Sequence, residues 1–288
     1  MRGYLKIDDG AYPVKLLEHL SDPKGLYYIG DPGLANGAAI AVVGSRKATG
    51  YGTAVAKELA ARAAGLGVAV ISGLARGIDS AAHKGAIEAG GKTIAVLGSG
   101  TDVYYPRENR DLQDEIAAGG LLITEYAPGT PAARYHFPER NRLIAALADA
   151  VIVVEAEGRS GSLITAETAM EMGKEVYAVP GNITSPMSVG TNKLIRDRAC
   201  PLVLLDDVFL DMGLDPSRAS APDVLSKLGE DERRVFEIVR DSGEMSLDRL
   251  RKISGLTSGQ TSGLVSVLEM KGMVYCELGK IIVAKICT

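Results

Sequence analysis

The chain has 288 residues, 46% of them hydrophobic and 24% charged, and its 32 Lys+Arg against 36 Asp+Glu give a formal net charge of -4. A chain of this length buries about three quarters of its unfolded surface and holds two ordinary domains without disulfide or metal staples; its acidic balance excludes a uniformly basic coat for nucleic acid, though not a local basic site. Glycine supplies 34 residues, about 12% where roughly 7% is usual, so loops with positive φ or close backbone approach to a ligand are expected.

The first ten residues carry no apolar stretch of the signal-peptide kind, and no segment reaches the length of apolar sequence that a membrane span needs. Residues 12–30 (YPVKLLEHLSDPKGLYYIG) offer a helix and a strand, so residues 1–37 read as an N-terminal extension able to widen a sheet. From 38 to 214 short apolar runs end in glycine-rich turns and alternate with Ala-rich segments of helical period. The expected strands are Ala38–Val43, Val68–Ile71, Thr93–Leu97, Leu121–Thr124, Ala150–Val154 and Glu175–Val179. The expected helices are Thr53–Ala64, Ser80–Ala89, Glu108–Ala117, Asn141–Ala148 and Thr165–Met172. Strands without polar alternation, flanked by helices, are buried on both faces, which predicts an α/β fold with a doubly wound, mostly parallel sheet. Ligands of such sheets bind beyond the carboxyl ends of the strands.

Residues 215–223 (DPSRASAPD) lack periodicity and read as a linker. In 224–288 three helical patterns, Glu230–Arg240, Ser246–Ser254 and Ser258–Lys271, precede a hairpin, Val274–Leu278 with Lys280–Ala284, turning at Gly279; this order predicts a winged helix. Cys200, Cys276 and Cys287 form no CxxC pair, which fits a reducing cytoplasm. His19, His83 and His136 stand in no ligand spacing, so neither a metal nor a cofactor is expected.

The loop after the first long strand, Gly44-Ser45-Arg46-Lys47-Ala48-Thr49-Gly50-Tyr51-Gly52, leads into a helix. Free amides and the positive end of a helix dipole there favour an anion, and Arg46 adds a bidentate donor; a tight turn with solvated charges is the alternative. The spacing is not GxGxxG and no acid closes the next strand, which disfavours a dinucleotide dehydrogenase. Residues 85–93 (GAIEAGGKT) resemble a P-loop only loosely and lead from helix into strand, the reverse of a P-loop, so ATP hydrolysis is excluded. The loop at 72–79 repeats the glycine-plus-cation design with Arg76, and Asp79 is expected to cap the following helix; His83 reads as a packed side chain. In the loop at 98–106, Tyr104 and Tyr105 fit base stacking or simple packing. The stretch Arg134-Tyr135-His136-Phe137-Pro138-Glu139-Arg140-Asn141-Arg142 interleaves cations with aromatic rings, as an unstacked base and its phosphates require, or else as a salt-bridged helix start. Gly158-Arg159-Ser160-Gly161-Ser162 offers a further anion nest.

Taken in order, GSRKATGYG, SGLARGIDSAAH, TIAVLGSGTDVYYP, TEYAPG, FPERNRLIAAL, EAEGRSGSLITAETA and VYAVPGNITSPMSVGTNKLI closely resemble the DNA-processing protein A (DprA/Smf) family over about residues 12 to 204. The resemblance implies an extended Rossmann-like fold that binds single-stranded DNA, usually as a homodimer, and is not an enzyme. It also implies loading of RecA recombinase onto incoming strands in natural transformation, with protection of those strands and displacement of single-strand-binding protein. Position by position it assigns DNA contacts to Gly44, Ser45 and Arg46, to Ser72, Gly73 and Ala75, to Arg134, Phe137 and Arg140, to Ser160, Gly161 and Ser162, and to Asn192.

Three departures stand out. Arg198 occupies a position where the family commonly has glycine. Only about eleven residues precede the Tyr12-Pro13 pair, so the helical N-terminal domain of many members is expected to be absent or trimmed. Residues 257–270 contain no Lys or Arg, so the expected winged helix suits protein contact or regulation better than base readout. Two alternatives share the general fold: a nucleotide N-glycosidase of the lysine-decarboxylase-like group, with Glu167 as its acid, and a sensor of free nucleotides.

Overall fold

A computed structural model of the chain describes residues 1–218, 228–271, 273–277 and 279–283. It forms two compact units, Met1–Ala219 and Ser220–Thr288. The strands of the first unit are β1 (Arg2–Leu5), β2 (Leu26–Gly30), β3 (Ala39–Val43), β4 (Ala69–Ser72), β5 (Thr93–Val96), β6 (Leu121–Thr124), β7 (Ala150–Val153), β8 (Glu175–Ala178) and β9 (Cys200–Pro201). Among the described residues they make one nine-stranded sheet in the order β1-β2-β6-β5-β4-β3-β7-β8-β9. The seven strands from β6 to β9 are parallel; β2 pairs antiparallel with β6 (Tyr28 opposite Ile123), and β1 with β2. The sheet is therefore mixed α/β and mostly parallel, as the apolar runs predict, and the extension at 12–30 widens it from one edge.

The helices are α1 (Val14–His19), α2 (Gly50–Gly65), α3 (Ile78–Glu88), α4 (Arg110–Gly119), α5 (His136–Leu147), α6 (Gly161–Glu171), α7 (Val189–Asp197) and α8 (Asp207–Asp211). Within β3 the side chains of Ile40 and Val42 enter a core with Leu59 and Ala63 of α2 and Ile78 of α3. Those of Ala41 and Val43 enter the opposite core with Leu143 and Leu147 of α5 and Ala166 of α6. Both faces of the strand are dry, which is why no polar alternation shows in the sequence.

The chain winds outward from β3 through β4 and β5 to β6, then returns across the sheet to β7 on the other side of β3. This reversal opens a crevice between the C-terminal ends of β3 and β7, the place where doubly wound sheets hold ligands.

Helix α5 starts five residues earlier than the periodicity predicts. Pro138 sits in its first turn, where an amide hydrogen has no intrahelical acceptor to lose, so the proline does not delay the helix. Asp79 does not cap α3: Gly77, at φ 76°, holds the cap position, and the Asp79 carboxylate accepts instead from the Gly73 amide at 3.1 Å and the Ala75 amide at 3.4 Å. Arg198 lies at φ -162°, outside the positive-φ region that favours glycine, so its φ does not call for a glycine there. Strands β1 and β9 are too short to leave a hydrophobic pattern.

In the second unit the elements are α9 (Glu230–Ser242), β10 (Glu244–Ser246), α10 (Leu247–Ser254), α11 (Ser258–Met270), β11 (Val274–Glu277) and β12 (Lys280–Val283). The strands pair antiparallel in the order β10-β12-β11. Val235, Phe236, Leu250, Leu268 and Ile281 form its core. Gly279 turns the hairpin at φ 76°, and β10 is a third strand beyond the expected pair. Residues 219–223 of the expected linker, and Leu278 and Ala284 of the expected hairpin, lie outside the described residues.

His83 is buried in the first unit. Thr93 Oγ1 donates to the Val70 carbonyl at 2.7 Å, so the 2.6 Å contact from His83 Nδ1 to the same oxygen makes Nδ1 the protonated nitrogen. Nε2 is buried without a partner. A second proton there would place a charge in the core, and burial lowers the imidazole to about 3. Because the folded value lies below the unfolded one, this group's contribution is complete above pH 6.5 and is lost as pH falls toward 3, at about 1.4 kcal/mol per pH unit. Urea unfolding from pH 7 to pH 5 should show that slope in the wild type and a shallower one in His83→Leu; parallel slopes would assign the acid lability to other groups.

Candidate nucleic-acid interface

The crevice at the strand reversal contains two adjoining cavities of about 690 and 710 Å³. The first runs between the loop after β3 (Gly44 to Lys47) and the start of α6 (Arg159 to Ser162), with Arg134 and Phe137 above it. The second continues over Gly73, Ala75, Arg76 and the Gly98–Glu108 loop. Arg46, Lys47, Ala75, Tyr105, Phe137 and Arg140 line both.

Backbone contacts lock the loop after β3. The Ser45 amide donates to the Glu155 carbonyl at 2.7 Å, and the Ile78 amide donates to the Ser45 carbonyl at 3.1 Å. A Cβ on Gly44 would fall 2.7 Å from Ile78 Cγ1 and 2.9 Å from the Glu155 carbonyl oxygen; one on Gly77 would fall 2.2 Å from the Ser45 carbonyl oxygen. Close backbone approach thus accounts for both glycines. The buried Glu155 carboxylate accepts from the Thr49 amide at 2.9 Å and the Thr49 hydroxyl at 2.5 Å. Thr49 in turn accepts from the Gly52 amide at 3.1 Å and caps α2.

On this frame Arg46 is exposed, with its guanidinium 5.3 Å from the centroid of the Phe137 ring. Tyr105, 45% exposed, stacks on Phe137 with centroids 5.4 Å apart and planes at 30°. The Gly98 Cα passes close beneath the same ring, where a Cβ would lie 3.0 Å from it. Ser160 caps α6 by accepting from the Ser162 amide at 3.4 Å, so the N-terminal end of that helix faces the first cavity. Arg46, Lys47, Arg134 and Arg159 surround the cavity as exposed cations with no ion-pair partner among the described residues. The acidic side chains lining it are the buried Asp79 and the exposed Glu157. Aromatic rings, unpaired guanidinium groups and helix-terminal amides in one groove suit a phosphate-linked chain of bases.

Eleven of the thirteen residues expected to contact DNA line the first or second cavity: Gly44, Ser45, Arg46, Gly73, Ala75, Arg134, Phe137, Arg140, Ser160, Gly161 and Ser162. Arg140 lines both, but as a buried residue. Its Nη1 donates to the Gly73 carbonyl at 2.8 Å and to the Val96 carbonyl, and its Nε to Asn141 Oδ1 at 3.2 Å. Burial lowers Arg140 to about 10 against the pull of Asp79, which keeps it charged at neutral pH. Asp79 is itself raised by burial, with the Arg140 charge and the loop amides opposing the rise.

Ser72 and Asn192 do not line the cavities. The buried Ser72 hydroxyl donates to the Val42 carbonyl at 2.7 Å. Asn192 is paired through both side-chain polar atoms with the Gly181 backbone, at 3.2 and 3.0 Å. His136 is no exposed cation either: its ring is buried, with Nδ1 2.9 Å from the Gly98 carbonyl oxygen, and stacks on Tyr126. Arg76 pairs with Glu108 at the surface. Two contributors leave weaker traces. Lys47 is one more charge in a motif that Arg46 dominates, whereas Glu155 could be found as an acid ending an otherwise apolar strand.

A profile of the DNA recombination-mediator protein A family matches residues 3–213. The DNA processing protein DprA of Streptococcus pneumoniae is 47% identical over 205 residues, 70% of this chain and 72% of its own length. A curated relative from Mycobacterium tuberculosis is 43% identical over 249 residues, 84% of this chain; the match spans 63% of that relative's length. Among solved structures, the S. pneumoniae protein superposes with a TM-score of 0.70 at 43% identity, covering 73% of this chain and 74% of the other. DNA processing protein A from Helicobacter pylori, solved for its single-stranded DNA binding mode, gives 0.65 at 30% identity, covering 74% and 95%.

Proposed function

The chain belongs to the DNA recombination-mediator protein A family, also called DprA/Smf, and on that premise we propose that it binds single-stranded DNA without sequence preference in the crevice at the C-terminal ends of β3, β4 and β7. One observation carries the reading: the exposed Arg46 guanidinium over Phe137, with Tyr105 stacked on the same ring and the capped start of α6 facing the cavity. Every base has a π-face, so such a platform binds tolerantly, and the cations follow the backbone. The bound strand is then protected, passed to RecA recombinase in natural transformation, and freed of single-strand-binding protein by a homodimer; family membership supports these steps. The second unit, taken as a winged helix, has an α11 without Lys or Arg, which favours protein contact over base reading.

Oligothymidine titration by fluorescence anisotropy tests the binding. Neutralising three or four phosphates gives a log–log salt slope of roughly -2 to -3. Phe137→Ala should weaken binding by roughly 1 to 3 kcal/mol. Salt-independent affinity, or no change in Phe137→Ala, would remove the cleft from consideration. The N-glycosidase alternative loses its acid, because Glu167 is exposed on α6 and does not line either cavity.

A further inference from the structure

Phe137, half-buried, lines both cavities from the first turn of α5. No side chain caps that helix, so other contacts hold its start. His136 and Tyr126, neither of which lines the two cavities, supply them. The imidazole of His136 is buried, with Nδ1 2.9 Å from the Gly98 carbonyl oxygen; a carbonyl only accepts, so Nδ1 carries the proton. A Cβ on Gly98 would lie 3.0 Å from the Phe137 ring and 3.6 Å from His136 Cβ. One backbone segment therefore meets both side chains. The Tyr126 ring stacks on the imidazole with centroids 3.9 Å apart and planes at 28°, and its hydroxyl donates to Glu139 Oε2, also in the first turn, at 2.8 Å. Burial first, and the Glu139 carboxylate next, raise the Tyr126 phenol, so it stays a donor at neutral pH. Tyr126 is itself tied to the sheet: its amide donates to Thr124 Oγ1 at 3.1 Å, and that hydroxyl donates to the Leu97 carbonyl at 3.0 Å.

We propose that His136 and Tyr126 are positioning residues for the base platform: they fix the plane of Phe137 by pinning the first turn of α5 to the Gly98 segment and to the end of β6, without touching the strand. This rests on the proposed stacking of a base on Phe137. Stacking depends on ring orientation, and a ring left free to move must be ordered when the base arrives. The loop that carries Arg46 is held by Glu155 and Ile78 instead, and the start of α6 by Ser160. Loss of the clamp should therefore weaken contact with bases and spare contact with phosphates.

Oligothymidine and an abasic tetrahydrofuran strand of equal length separate the two contributions when each is titrated into the full chain, with affinities referred to the folded fraction from urea unfolding. His136→Leu should bind oligothymidine about 2- to 10-fold more weakly, the range for ordering one side chain on binding, and keep the wild-type affinity for the abasic strand. His136→Asn retains an N–H donor near the Nδ1 position and should recover part of the loss. Tyr126→Phe keeps the stack but releases Glu139, so a smaller loss of the same kind is expected. In a Phe137→Ala background none of these changes should lower affinity further, since their effect passes through that ring. A loss shared equally by both strands, a loss that persists without Phe137, or no loss at all overturns the positioning role. If His136→Leu does not fold, Tyr126→Phe carries the same comparison with the same outcomes. Equal wild-type affinity for the two strands overturns the base platform instead, so the two failures are distinguishable.

Discussion

Arg46→Glu is expected to lower the affinity for oligothymidine on the order of 100-fold at low salt, because it replaces a charge-assisted contact worth about 1.5 to 3 kcal/mol with a like charge facing phosphate. The loop that presents Arg46 is held by the Ser45 and Ile78 amide bonds and by the close approach of Gly77, none of which involves the guanidinium. The side chain is exposed and has no ion-pair partner among the described residues. Folding stability should therefore change by no more than about 0.5 kcal/mol, the usual range for a surface substitution. The salt slope should fall by about one unit, the signature of a lost phosphate contact. Arg46→Lys separates charge from shape: it keeps the cation but loses the planar group over Phe137, so part of the affinity returns and the slope is restored. Wild-type affinity in Arg46→Glu would show that the strand lies elsewhere.

Much of this architecture is legible in the sequence because both sheet faces are buried. Runs such as AIAVV at 39–43 and AVIV at 150–153 admit few alternatives once helices flank them. The glycine loops are legible for a related reason: only glycine fits where Gly44 meets Ile78 and Gly77 meets Ser45. What sequence pattern does not reveal is the direction in which a polar side chain points. Arg134, His136 and Arg140 occur within seven residues and read as one basic cluster, yet the segment before α5 leaves Arg134 in water while α5 turns His136 and Arg140 into the protein, toward Gly98, Gly73 and Val96. That outcome depends on which carbonyls of β5 and its neighbouring loops lack a partner, a property of chain segments forty to seventy residues away. The same reasoning covers Asn192, whose amide matches the Gly181 backbone rather than any part of the cleft. Local pattern locates the binding edge, while the division of its residues into contact and support is a tertiary property.

Arg140→Met tests that division, with an expected loss of about 3 to 5 kcal/mol of folding stability, the cost of removing one partner from a buried charged network. Methionine fills similar space, so the loss reports polar groups rather than a cavity. The carbonyls of Gly73 and Val96 lose their buried donor, each costing about 1 to 3 kcal/mol. Asp79, which organises the Gly73–Ala75 turn through two amides, loses its balancing charge. Arg140→Lys keeps the charge but cannot match a planar donor set spread over two carbonyls and Asn141, so it should recover only part of the loss. Adding Asp79→Asn to Arg140→Met should cost less than the sum of the two single changes, because the second removes a carboxylate that the first left uncompensated. Urea unfolding at pH 7 reads each variant, and strand affinity measured on the folded fraction completes the test. A supporting Arg140 gives a large stability loss and a strand affinity that declines through displacement of Phe137, 5.9 Å from the guanidinium. Unchanged stability together with a reduced salt slope would instead make Arg140 a direct phosphate contact, as the sequence motif alone implies.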